Sequence, residues 1–196
     1  MKPNRLLPLL LMLVAGLLPA CGQSRDEWQQ PERIMDVAGF RPGMYIGEIG
    51  AGEGYFTFKL AERVGPAGKV YANEIQSHLL QTVRDRARQE NITNIVTVLG
   101  AETEPQFPAM TLDGLIMVYV FHHLSRPVEY LHNLRSYFGE DTRLVIVERD
   151  PVRYRDYMSD HFMKKERVFD LLKQADYRLI RLEEFPRDNI FIVVPD

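Results

Sequence analysis

Short apolar runs alternate with amphipathic segments along this chain, and the two periods assign most of its elements. Pro31–Val37 reads as a short helix, with proline at its start and Gly39 near its end. Arg41-Pro-Gly43 is a turn feeding a strand over Met44–Ile49. Tyr55–Val64 carries Phe56, Leu60 and Val64 on one face and predicts a helix, stopped by Gly65-Pro-Ala-Gly68. Lys69–Asn73 is a second strand, Ser77–Gln89 a helix, and Ile92–Leu99 a third strand of the near-continuous apolar kind found in parallel sheets. Glu102–Pro108, with two prolines, is loop. Asp113–Val120 is a fourth strand, apolar enough to be central, and Pro127–Phe138 is helical. Gly139-Glu-Asp141 turns into a fifth strand, Arg143–Glu148. After a loop containing Tyr154, Tyr157 and His161 comes a helix over Lys164–Ala175, with Val168, Leu171 and Leu172 on its buried side.

The last two strands, Tyr177–Glu183 and Asn189–Val194, are separated only by Glu184–Asp188. That gap is too short for a helical crossover, so the pair is antiparallel. Five strands alternating with helices and closed by such a hairpin predict an α/β fold: a doubly wound, seven-stranded Rossmann-like sheet with an antiparallel last strand. The domain is expected over residues 31–196.

The beginning of the chain follows another pattern. Lys2 and Arg5 precede an apolar stretch, Leu6–Leu18, of thirteen residues, short of the roughly 20 that a membrane-spanning helix needs. A basic start, a short apolar middle and small residues near a break make a secretory signal over residues 1–20. Leu18-Pro-Ala-Cys21 resembles the end of a bacterial lipoprotein signal, although Pro19 departs from the usual residue there. The resemblance implies a lipid on Cys21, a polar tether over 21–30, and a domain held at the membrane of the cell envelope on the periplasmic side. A buried helix with an unrelated cysteine is the competing reading.

Charge and cysteine content narrow the partners. The formal net charge of −3 becomes −5 once Lys2 and Arg5 leave with the signal, which offers no basic footprint for nucleic acid. Cys21 is the sole cysteine, so the domain can hold no internal disulfide and must be stabilised by packing. The 176 residues that remain suffice for one core.

The chemistry concentrates at Glu48-Ile-Gly50-Ala51-Gly52-Glu-Gly54-Tyr55, where a strand turns tightly into a helix. Glycines are needed where a Cβ would meet the turn or a ligand lying on it, and the amides of the helix N-terminus face that ligand. About twenty residues later the second strand ends at Glu74, placed to accept hydrogen bonds from two ribose hydroxyls. The spacing is Gly-x-Gly-x-Gly, whereas the dinucleotide fingerprint wants Gly-x-Gly-x-x-Gly, and position 55 is tyrosine. No basic residue in the turn would serve a diphosphate, and Glu48 and Glu53 suit a cation better. An NAD-linked oxidoreductase is therefore disfavoured.

In these features, in the reversed last strand and in Val120-Phe-His-His-Leu124, the chain resembles the class I S-adenosylmethionine-dependent methyltransferases over residues 31–194. The resemblance implies S-adenosyl-L-methionine as cofactor. Glu48, Gly50, Ala51, Gly52, Gly54 and Tyr55 would hold its methionine part, Glu74 its ribose, and Ile75 its adenine. Ala101 and an acid, either Glu102 or Glu104, would stand at the adenine rim. For Glu74 the competing reading is a cap on the following helix.

His122, His123 and Tyr119 are the candidates nearest the methyl-transfer site. A base role for either histidine competes with a packing or backbone-bonding role. No metal is expected, because neighbours in an extended segment point to opposite sides and no acid–histidine spacing completes a ligand set. Glu148-Arg-Asp150 either contacts a polar acceptor or chelates a cation, or forms an ordinary salt-bridge cluster. Tyr154, Tyr157 and His161 either close over the acceptor or face solvent. The expected activity is methyl transfer to an acceptor, small molecule or protein, that the residues do not name. The alternative is a catalytically inactive, lipid-anchored binding or scaffold protein on the same fold.

Overall fold

Turn chemistry sets where each element begins and ends in the computed structural model, which describes residues 24–154 and 161–196. Cys21, the apolar run before it and Tyr157 lie outside the described residues. Two helices come first, α1 (Arg25–Gln29) and α2 (Pro31–Ala38), the second opened by its proline and closed by Gly39 at φ 75°. The strand–helix alternation follows with β1 (Tyr45–Ile49), α3 (Tyr55–Val64), β2 (Lys69–Glu74), α4 (Ser77–Gln89) and β3 (Ile95–Leu99). It continues with β4 (Leu112–Val118), α5 (Pro127–Leu134), β5 (Phe138–Arg149) and α6 (Lys165–Gln174), and ends in β6 (Tyr177–Glu184) and β7 (Asp188–Pro195).

Among the described residues the strands form one seven-stranded sheet in the order β3-β2-β1-β4-β5-β7-β6. Strands β1 to β5 are parallel neighbours, and β7 inserts antiparallel between β5 and β6. Alternation along the central strands divides the apolar side chains between two faces. Leu115, Met117, Leu144, Ile146, Phe191 and Val193 pack with α5 and α6, while Ile116, Val145, Val147, Ile190 and Ile192 pack with α2 and α3. Both faces are covered, as continuous apolar strands require. Each buried aliphatic or aromatic side chain contributes about 1.5–3 kcal/mol, the stabilisation that stands in for cross-links.

The chain leaves β1 toward β2 and β3, then returns to the other side of β1 to form β4. The connections above the carboxyl ends of β1 and β4 therefore diverge and open a crevice there.

Four expectations need correcting. Residues 24–30 are not a plain tether: Ser24 opens α1 with a capping box, its hydroxyl accepting the Glu27 N–H while the Glu27 carboxylate accepts the Ser24 N–H at 2.8 Å. The expected third strand begins at Ile95, and as the sheet edge it is only half-buried, with Leu99 53% exposed. Gly139-Glu-Asp141 does not end an element; β5 runs through it from Phe138, with a register irregularity opposite Leu112 and Gly114. The helix from Pro127 is regular only to Leu134, after which Arg135–Tyr137 tightens into a 3-10 turn.

Candidate active site

Three glycines carry the chain from β1 into α3, and Gly50, Gly52 and Gly54 all adopt positive φ. Gly52 (φ 56°) faces open space, since an added Cβ would meet nothing within 4 Å. Gly54 has a different job: a Cβ there would lie 2.9 Å from Val83 and 3.0 Å from Phe58, so its absence lets α3 and α4 pack closely. Gly54 was expected to touch the cofactor, but it does not line the cleft described below.

Glu74, at the end of β2, organises this turn. Its Oε2 accepts the Gly52 N–H at 3.0 Å, and its Oε1 accepts the N–H groups of Ile75 at 2.9 Å and Gln76 at 3.1 Å. Gln76 is the N-cap residue of α4, so Glu74 fixes the approach to that helix without bonding an N–H within it. A carboxylate has about four acceptor positions, which leaves capacity for a ligand. Glu48, on β1, is 2% exposed and accepts the Thr57 hydroxyl at 2.5 Å. Burial pushes its carboxyl up to about 7, with the Thr57 hydrogen bond opposing and nearby Glu74 adding to the rise.

These residues bound a cleft of about 1140 Å³ above the carboxyl ends of β1, β2 and β4. Glu48, Gly50, Ala51, Gly52, Tyr55, Glu74, Ile75, Ala101 and Glu102 all line it. Ile75 presents bare apolar surface there at 58% exposure. Of the two rim acids, Glu102 lines the cleft and accepts the Ser125 hydroxyl at 2.5 Å; Glu104 does not line it.

The short helix α1 forms one wall, and nothing in its polar composition pointed to that. Asp26 accepts the Tyr55 hydroxyl and pairs with Lys59 at 2.6 Å, and the Arg25 guanidinium stacks 3.7 Å over the Tyr55 ring. Arg25 and Gln29 thereby line the cleft. Gln29 is fully buried, and its Nε2 has no hydrogen-bond partner. A buried, unsatisfied donor costs about 1–3 kcal/mol.

The other wall follows β4. Tyr119 takes φ 58°, a left-handed conformation that ends the strand, and Phe121–His123 then coil into a 3-10 turn. Burial, with Asp188 close by, holds the Tyr119 hydroxyl far above the ordinary phenol range. Tyr119 is thus no base; its hydroxyl oxygen is buried, with Asp188 and Arg149 beside it. His123 lines the cleft; burial and its two histidine neighbours, His122 and His161, hold it below the usual imidazole value. The His122 ring does not line the cleft: its Nδ1 lies 2.7 Å from Glu148 Oε2, with side chains only 3% and 1% exposed. The premise of an extended His-His pair is therefore overturned. Ring centroids of His122 and His123 are 4.1 Å apart, and His161 lies 4.9 and 5.0 Å from them.

Glu148, Arg149 and Asp150 are each ion-paired, as a salt-bridge cluster would be, but with separate partners: His122 at 2.7 Å, Asp188 at 3.6 Å and Arg153 at 3.2 Å. Glu148 serves His122, while Asp150 accepts the N–H groups of Val152 and Arg153 and the Asn189 amide. Arg149 sits among Trp28, Tyr119 and Tyr154, 4.6–4.8 Å from each ring, with Asp188 at 3.6 Å. Tyr154 thus packs on Arg149 and not over the cleft.

Comparison with known proteins agrees with this architecture. The family described as "Methyltransferase domain" matches residues 41–183. Nocamycin O-methyltransferase of Saccharothrix syringae is 31% identical over 102 residues, covering 51% of this chain and 35% of the relative. A ubiquinone/menaquinone biosynthesis C-methyltransferase of Ectopseudomonas mendocina is 26% identical over 115 residues, 58% of this chain and 45% of the relative. The chain thus spans less than half the length of these relatives. A SAM dependent methyltransferase from Aquifex aeolicus shares the fold with a TM-score of 0.81 at 24% identity, covering 88% of this chain and 93% of that one.

Proposed function

We propose that this chain, which belongs to the methyltransferase domain family, transfers a methyl group from S-adenosylmethionine to a nucleophilic acceptor. The observation that carries the reading is the pairing of Glu48 and Glu74 across a glycine turn with open space above Gly52. The cleft, at about 1140 Å³, is ample beside the about 300–1,000 Å³ of common small-molecule sites.

The residues present fit this cofactor. Glu74 keeps acceptor capacity for ribose hydroxyls, Ile75 offers an apolar face for a base, and Glu102 stands at the rim. Glu48 and the glycine turn receive the aminoacyl part, whose carboxylate would meet the unsatisfied Gln29 amide. When bound, S-adenosylmethionine supplies an electrophilic methyl on a sulfonium. The protein's own work is then to hold the acceptor in line and to exclude water, which alone can be worth several kcal/mol. Tyr119 and His123 line the β4 wall, where His123 contributes an imidazole held below its usual value. A scaffold with no ligand would have no use for the open cleft, the orphaned amide and the two carboxylates together.

The test is Gly52→Ala. The new methyl group meets no protein atom, so the chain stays folded at a cost of about 1–2 kcal/mol for the left-handed backbone. It intrudes on the ligand's space, so calorimetry should show S-adenosylhomocysteine binding at least tenfold weaker. Unchanged affinity would place the ligand elsewhere.

The address of the domain is part of the proposal. The basic start, the apolar run and Leu18-Pro-Ala-Cys21 support export and lipidation. Cells fed labelled palmitate should label the chain, and Cys21→Ser should abolish the label. Label persisting in that variant would contradict a lipid anchor at Cys21.

A further inference from the structure

We propose that His122, His123 and His161 form a binding site for a divalent first-row metal ion of zinc's class, at the β4 wall of the cleft. One nitrogen from each of the three comes within 4.8 Å of the others. They are three of the chain's five histidines, brought together from a 3-10 turn after β4 and from the residues just before α6.

The case rests on more than proximity. The His122 ring is fixed by Glu148, which is itself 1% exposed and ends β5. Glu148 Oε1 accepts the His122 backbone N–H at 3.2 Å, and its Oε2 accepts Nδ1–H at 2.7 Å. The proton is therefore kept on Nδ1, and the Nε2 lone pair is left for a ligand. A buried carboxylate orienting a histidine through its far nitrogen is the arrangement that outer-shell acids make around metal-bound histidines. His123 and His161 are exposed and can approach from the open side.

An imidazole-only set favours zinc, cobalt, nickel, copper or iron over magnesium or calcium, which take oxygen ligands. A tetrahedral zinc with bonds of about 2.0–2.1 Å brings its ligand atoms to roughly 3.3–3.4 Å of one another. The two exposed rings must therefore close by about 1.4 Å. Three protein ligands leave a fourth position open, as in catalytic rather than structural zinc sites.

His123 lines the cleft, so an ion held there stands at its wall. A hydroxyl or thiol acceptor would coordinate through its oxygen or sulfur and release that proton to solvent, becoming the anionic nucleophile. This use of the ion rests on the methyl-transfer reading; the metal site itself does not.

The experiment is a calorimetric titration of the detergent-solubilised, chelator-treated full chain with Zn2+, repeated with Co2+ by visible absorption. One Zn2+ per chain is expected, with Co2+ giving the intense bands of a four-coordinate site. His161→Ala should weaken binding at least a hundredfold, and Glu148→Gln tenfold to a hundredfold. A His78→Ala/His132→Ala double variant, which removes the two histidines outside the cluster, should bind as the parent does. Absence of stoichiometric binding by a folded chain, survival of binding in His161→Ala, or its loss in the double variant would each overturn the site. S-adenosylhomocysteine titrated into the same preparation reports on the cofactor reading independently.

Discussion

Glu74→Gln leaves the chain folded and weakens S-adenosylhomocysteine binding by tenfold to a hundredfold. The carboxylate of Glu74 spends three contacts on the N–H groups of Gly52, Ile75 and Gln76 and keeps about one of its four acceptor positions for the ribose. A glutamine retains one acceptor oxygen but replaces the other by an amide that cannot accept. The charge-assisted bonds so lost are worth about 1.5–3 kcal/mol each, and about 1.4 kcal/mol is tenfold in affinity. Glu74→Ala goes further, because it strips Gly52, Ile75 and Gln76 of their partner together, whereas the glutamine amide opposes only the N–H groups on one oxygen. A calorimetric titration of both variants beside thermal melts separates the two effects. A Gln variant that binds like the parent would remove Glu74 from the site.

Glu48→Gln is expected to stabilise the protein and damage the site together. In the folded chain the Glu48 carboxyl is pushed up to about 7 from an ordinary 4.5. The sign follows from proton affinity: the native state holds this proton more tightly than the unfolded chain does. The associated stability is full below about 4.5, falls as pH rises, and is gone above about 7. That loss amounts to roughly 3 kcal/mol at 1.36 kcal/mol per pH unit. Glutamine can accept the Thr57 hydroxyl without this penalty, so the variant should melt several degrees above the parent at pH 8 and lose most of that margin near pH 5. Binding runs the other way. A cationic ligand needs Glu48 ionised, so parent affinity for S-adenosylmethionine should rise toward tenfold per pH unit below about 7 and level off above it. In Glu48→Gln it should be weaker and nearly flat in pH. Parallel pH profiles in the two proteins would deny Glu48 contact with the cation.

Much of the fold was legible because its signals are local. The glycine turn, the apolar run through β4 and the five-residue gap before the last strand each dictate one geometry. The order of strands then follows from right-handed crossovers and a hairpin. That Glu48, Gly52 and Glu74 line one cleft was legible for the same reason, each lying within three residues of a strand's end.

What escaped depends on contacts between distant segments. Residues 25–29 look like a tether in composition, and long-range contacts turn them into a wall of the cleft: Asp26 with Tyr55 and Lys59, Arg25 over Tyr55, and Trp28 against Tyr119 and Arg149. Gln29 comes to line the cleft by the same contacts. The histidines were misjudged through one torsion. A left-handed Tyr119 converts an expected extended run into a 3-10 turn, and neighbours that should diverge come to share a side. No propensity of tyrosine announces a positive φ. The adjacency of His-His to a strand's end and a third histidine near α6 were the available hints.

The measurement that tests the account most directly is calorimetric titration of the purified full chain with S-adenosylmethionine and S-adenosylhomocysteine. The account predicts one site per chain, micromolar affinity for both, and a matching rise in melting temperature. A chain that melts cooperatively, yet gives no binding heat and no shift with either ligand, would contradict it.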